Sequence, residues 1–135
     1  MTSAHLLHTI PPIYDRHSKI LILGSFPSGK SWEVSFYYGH PQNRFWRVLA
    51  AVLGCAVPSS NEEKTALLHS HNIALWDIIK SCDIVGSSDS SIKNVVPNDI
   101  GTILSSCGIR QIYSNGKTSE KLFNKYIKDN VCIDT

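Results

Sequence analysis

Ile20-Leu21-Ile22-Leu23 runs directly into Gly24-Ser25 and then into the loop Phe26-Pro27-Ser28-Gly29-Lys30-Ser31. An apolar run of this length, bounded by turn residues, reads as a buried strand. Gly24 through Ser31 also satisfies the phosphate-loop pattern G-x-x-x-x-G-K-[ST], in which backbone N–H groups cradle phosphates and the Lys and Ser open a helix. Taken alone, that match implies a nucleotide triphosphatase. The residues after Ser31 argue against it. Trp32-Glu33-Val34-Ser35-Phe36-Tyr37-Tyr38 is rich in β-branched and aromatic residues, and Gly39-His40-Pro41 breaks it before a sound helix is complete. Pro27 stiffens a loop that phosphate cradles usually fill with glycine. The one strand ending in an acid that could hold magnesium is Ala74-Leu75-Trp76-Asp77.

The rest of the chain alternates in type. Asn43 to Leu53 has helical spacing, with Phe45, Trp46, Leu49, Val52 and Leu53 on one face and Gly54 to close it. Ser60 with Glu63 forms a capping box for a helix through about His69. Residues 73–77 read as a strand. Cys82 to Val96, rich in Ser and Asp, reads as a long loop, a length more often functional than incidental. Pro97-Asn98 opens a short helix with Ile100, Ile103 and Leu104 inward and Gly108 at its end. Residues 109–114 read as a strand, and 118–129 as a helix with Leu122, Phe123, Tyr126 and Ile127 on its apolar side. Val131-Cys132-Ile133 starts a further strand. Trp46 and Trp76 are assigned to the core. Such alternation predicts an α/β fold, a mostly parallel sheet covered by helices, with ligands at the carboxyl ends of the strands. Gly24-Ser25, Asp77 and Ser114-Asn115 all fall at such ends.

Bulk properties set limits. A chain of 135 residues suits one domain with one core, and 42% hydrophobic with 18% charged residues describes a globular protein. The net charge of +2 does not by itself imply nucleic acid, so any such contact must come from a local patch. The N-terminus has no signal-peptide pattern and no apolar run approaches membrane-spanning length, so a cytoplasmic protein without a membrane partner is expected. Cys55, Cys82, Cys107 and Cys132 are widely separated and read as buried thiols in a reducing compartment. The six His show no metal-ligand spacing, so neither metal nor cofactor is expected.

Widening the window brings in a different resemblance. The strand with Gly24-Ser25-Phe26-Pro27-Ser28, followed by Tyr37-Tyr38-Gly39-His40-Pro41-Gln42-Asn43-Arg44-Phe45-Trp46, resembles the uracil-DNA glycosylase superfamily, in particular its hypoxanthine-DNA (deoxyinosine) glycosylase branch. Ile73 through Asp77, Ser90 through Asn94, Val96-Pro97-Asn98-Asp99 and Ile112 through Thr118 are similar to the same branch, in the family's order. The resemblance implies a three-layer α/β/α fold and a monofunctional enzyme. Such an enzyme hydrolyses the N-glycosidic bond of a deaminated base, hypoxanthine or uracil, in DNA; no Lys occupies an obvious nucleophile position.

Base excision requires taking the base out of the stack, gripping it and stabilising charge as the C1′–N bond breaks. A neutral amide can orient water toward C1′ without a shifted pKa. Asn43, at the mouth of its helix, is the candidate catalytic residue; as a structural residue it would be a helix cap. Many superfamily members carry Asp or Asn one residue after the Gly of the first motif, where this chain has Ser25. The resemblance therefore moves the role to Asn43. It also implies that Gly24, Ser25, Phe26, Pro27, Tyr38, His40, Asp77 and Asn115 surround the base: Tyr38 or Phe26 against its face, Asp77 at its edge. Lys93, Lys117 and the Gly116 N–H would contact DNA phosphates. A monomer is expected. Superfamily members carry a second motif and a final helix after the last strand, and this sequence stops at Asp134-Thr135 where they would begin. The expectation is therefore a C-terminally incomplete domain over residues 1–135 lacking the last helix, with a catalytically weak or inactive remnant that retains residual DNA binding as the alternative.

Overall fold

The computed structural model describes residues 4–7, 10–26, 37–38, 44–84 and 92–128. The apolar run forms β2 (Ile20–Gly24), the centre of a parallel sheet whose neighbours are β3 (Ile73–Asp77) and β6 (Gln111–Ser114), in the order β3-β2-β6. Register pairs Ile22 with Leu75 and Tyr113, and Gly24 with Asp77. Both faces are covered, which is why β2 carries no polar side chain. Leu21 and Leu23 point to one face, packed with Ile112, Ile103 and Phe123 from α3 (Ile100–Ser106), β6 and α4 (Lys117–Tyr126). Ile20 and Ile22 point to the other, with Trp46 of α1 (Phe45–Leu53) and Leu68 of α2 (Asn61–Ser70). The result is three layers, α/β/α.

The helix boundaries follow from their caps. Gly54, at φ 69°, closes α1, and the amides of Gly54 and Cys55 return to the carbonyls of Ala51 and Ala50. Ser60 Oγ accepts the Glu63 N–H at 3.1 Å to open α2, whereas the Glu63 carboxylate reaches one residue further back, to the N–H and Oγ of Ser59. Those bonds hold the Glu63 carboxyl below its ordinary range. The apolar face of α1 centres on Trp46 and Ala50, one turn apart, so Val52, expected inward, is 77% exposed. Trp46 is buried, while Trp76 is half-buried between the two main clusters.

Both ends of the stretch expected to be one long loop, Cys82 to Val96, are strand, and residues 85–91 between them lie outside the described residues. β4 (Ile79–Ile84) and β5 (Lys93–Pro97) pair antiparallel, and β1 (Ala4–Leu7), which has no clear sequence signal, adds to the far edge in the order β1-β4-β5. The Ser and Asp content hid it. Ile79, Cys82 and Ile84 form its core, against Phe26, Val95 and Leu122, with intervening positions left polar. Pro97 ends β5 and Asp99 is the N-cap of α3, so that helix begins later than the Pro-Asn pair suggested. Of the cysteines, Cys82 is buried and Cys107 half-buried, with burial raising both thiol pKa values, but Cys55 is exposed because it follows the α1 cap. Cys132 and the strand expected at 131–133 lie outside the described residues. No helix among the described residues is long and apolar enough to cross a membrane.

Candidate active site

The carboxyl ends of β2, β3 and β6 converge on Gly24. Asp77, 3% exposed, is its partner in β3. A Cβ on Gly24 would collide with Asp77 Oδ1 and lie 2.8 Å from the Tyr38 hydroxyl. The glycine is thus required by the side chains above it, which accounts for this position without a phosphate cradle. Beyond Gly24 the chain stays pinned: Ile78 N–H donates to the Gly24 carbonyl at 2.9 Å and Ile79 N–H to that of Ser25 at 3.1 Å. On the other side, Asn115 N–H and Ser119 Oγ both donate to the Leu23 carbonyl, at 2.8 and 2.6 Å. Buried Asn98 holds the base of the hairpin against β3, its Nδ2 donating to the carbonyls of Asp77 at 2.8 Å and Ile79 at 3.2 Å.

Tyr38 is held in a left-handed conformation, φ 55°, which costs a non-glycine residue on the order of 1 kcal/mol or more. Its ring stacks on Phe45 with centroids 4.1 Å apart, and Phe45 meets Trp46 edge-on at 5.0 Å. Neighbouring Tyr37 anchors the segment: its hydroxyl donates to the Pro11 carbonyl at 2.9 Å, and its own carbonyl accepts Trp46 Nε1–H at 3.1 Å. The Tyr38 hydroxyl is buried without a hydrogen-bond partner among the described residues. Burial raises its pKa well above the ordinary phenol value, the Asp77 carboxylate raises it further, and the Asn115 side chain opposes the rise. The phenol therefore remains a proton donor at any physiological pH. A hydroxyl this buried, with only the Asn115 side chain acting to favour its ionised form, suits a ligand that brings an acceptor.

Beside this cluster a cavity of about 510 Å³ opens between α1 and β6, lined by Phe45, Leu49, Arg44, Ile22, Tyr113 and Asn115 among others. Its wall is mostly apolar, with Tyr113 53% exposed, and Arg44 brings a cation to its mouth. An apolar slot with a few convergent polar groups suits a flat heterocycle.

The structure brings together Gly24, Ser25, Tyr38, Asp77 and Asn115 of the residues singled out from sequence. Gly116, at φ 97°, opens α4 beside Asn115, with Lys117 following on the exposed side. Phe26 turns toward the hairpin core, and Lys93 sits at the Asp83 end of the hairpin, away from Asp77. Asn43, Pro27, His40 and the phosphate-loop lysine Lys30 lie outside the described residues. Sequence reasoning missed Phe45 as the partner of Tyr38, Arg44 and Tyr113 as cavity residues, and Asn98 as the clamp on Asp77. A helix face counted as core hid Phe45, and nothing local marks Asn98. Among the described residues no three His, Cys, Asp or Glu side chains gather as a metal site.

Four likenesses accompany this geometry. The family model of the uracil DNA glycosylase superfamily matches residues 11–131. A hypoxanthine DNA glycosylase of Methanosarcina barkeri is 35% identical over 111 residues, covering 81% of this chain and 70% of the relative. One of Methanosarcina acetivorans is 40% identical over 90 residues, covering 66% of this chain and 57% of the relative. Among solved structures, the solution NMR structure of a candidate uracil DNA glycosylase from Methanosarcina acetivorans superposes with a TM-score of 0.81 at 30% identity, over 95% of this chain and 80% of that one.

Proposed function

The chain belongs to the uracil DNA glycosylase superfamily, and we propose that it is a monofunctional DNA glycosylase that removes hypoxanthine, with uracil as a second substrate. The observation that carries this reading is the placing of the Asp77 carboxylate and the Tyr38 hydroxyl side by side above Gly24. Deamination converts adenine or cytosine into a lactam, so hypoxanthine and uracil share an N–H donor next to a carbonyl acceptor. A carboxylate beside a phenol offers the complementary acceptor and donor. Adenine reverses both groups, and its ring nitrogen would face the Asp77 carboxylate lone pair to lone pair. Sites built on paired hydrogen bonds reject such mismatches strongly, because buried polar groups are left unsatisfied.

In this reading the flipped base lies against Asn115 and the Tyr38–Phe45 stack. Water directed by Asn43 attacks C1′. The C–O bond forms as the C1′–N bond breaks, the electron pair leaves with the base, and the water proton passes to solvent. Lys117, Lys93 and the Gly116 N–H supply phosphate contacts. In this reading the working unit is a monomer in the cytoplasm with its DNA. The test is incubation of the purified chain with oligonucleotides carrying one inosine or one uracil, followed by alkali. Strand scission at the inosine is expected; no scission at either base would refute the proposal.

A further inference from the structure

A second groove lies between β5 and α4. It encloses about 530 Å³ and is lined by the apolar Ile92, Val95 and Leu122 and by Lys93, Lys121 and Lys125. Residues 117–128 hold four lysines against one glutamate, a local excess larger than the +2 of the whole chain. Lys117, Lys121 and Lys125 recur every four residues, so they share one face of α4 at steps of about 6 Å along its axis. Among the described residues of the facing strands the acid is Asp83, the cross-strand partner of Lys93, and its carboxylate accepts Asn94 Nδ2–H at 2.6 Å. Glu120 is the other acid on α4. The Lys125 ammonium lies 5.2 Å from the Tyr126 ring centre at the groove's far end. The near end begins at Thr118, one turn from Asn115 and Gly116.

We propose that this groove is a phosphate track which holds the backbone of one nucleic-acid strand flanking the lesion, continuous with the active-site rim at Lys117. The inference rests on the glycosylase reading for its ligand but not for its chemistry. A row of cations beside apolar side chains, leading away from a base pocket, binds a polyanion without reading its sequence. It also explains how a chain of such low net charge holds DNA: the positive charge is concentrated on one element instead of spread over the surface.

The test uses the full chain and undamaged, labelled DNA, single-stranded and duplex in parallel, with affinity measured by anisotropy from about 50 to about 200 mM salt. Removing two phosphate contacts in K121A/K125A should weaken binding and lower the slope of log K against log salt by about 1.8 on duplex or about 1.4 on single strand. The substrate with the larger loss identifies which form occupies the groove. K19A/R110A removes the same charge at the amino ends of β2 and β6, and should leave the slope as in the wild type. An unchanged slope in K121A/K125A, or an equal fall in both double variants, overturns the proposal. Loss confined to polyglutamate binding would instead assign the groove to an acidic protein and also overturn it. Excision by the wild-type chain is scored separately, so failure of the glycosylase reading shows as absent scission while the salt slope remains readable.

Discussion

Gly24 and Asp77 are register partners in adjacent parallel strands, and the Asp77 carboxylate occupies the space a side chain at position 24 would need. Gly24→Ala should therefore destabilise the fold by about 1–3 kcal/mol, the usual cost of overpacking, and reduce inosine excision far more than that loss of folded protein explains. Chemical denaturation alongside excision kinetics checks both. An alanine variant of normal stability and activity would show that the strand end has slack.

Asp77 is expected to act on the base edge. Asp77→Ala removes an acceptor facing the lactam N–H, and a charged hydrogen bond is worth roughly 1.5–3 kcal/mol, or about 10- to 150-fold in kcat/KM. Asp77→Asn keeps an acceptor oxygen and should retain much more activity than the alanine variant. Equal loss in both would point to a role for the negative charge itself.

Tyr38 sets function against stability. Tyr38→Phe keeps the stack on Phe45 but removes the orphan hydroxyl, so the variant should melt at a higher temperature, gaining about 1 kcal/mol, while excising inosine more slowly. A variant with lower stability would mean that the hydroxyl has a partner in the free protein.

The same hydroxyl predicts a pH dependence. Its pKa in the fold is raised, first by burial and then by Asp77. A group protonated more readily in the folded state stabilises the fold fully below its unfolded pKa of about 10 and loses that contribution as pH rises beyond it. Melting temperature should fall above about pH 10, and less steeply in Tyr38→Phe; Tyr37, raised in the same direction, keeps part of the slope in place.

Asn43→Ala should abolish excision while leaving the fold intact, since the N-cap position of α1 is Arg44 and not Asn43. Near-normal excision by a well-folded variant would remove Asn43 from the mechanism. Circular dichroism and the inosine assay together decide.

The parts of this fold that were legible in the sequence are those where periodicity and end signals agree. The apolar run at Ile20–Leu23 and Gly54 after Leu53 behave as their residue types dictate, and Gly24, Asp77 and Asn115 could be placed because strand ends are where such folds bind ligands. Two things were hidden. The β4–β5 hairpin draws its core from Phe26 and Leu122, far away in sequence, so no local window shows why Cys82 should be buried. Phe45 has the spacing of a core residue, and only the left-handed turn at Tyr38 makes it a stacking partner instead. Asn98 was opaque for a related reason, because both carbonyls it clamps belong to residues about twenty positions earlier.

Only Ile78 separates β3 from β4, and the bonds of Ile78, Ile79 and Asn98 across that step join the two sheets. Amides on this seam can be released to solvent only by opening both sheets together, so their exchange with deuterium should approach the rate of global unfolding. The strand end that carries Asp77 should therefore be among the last parts of the molecule to open.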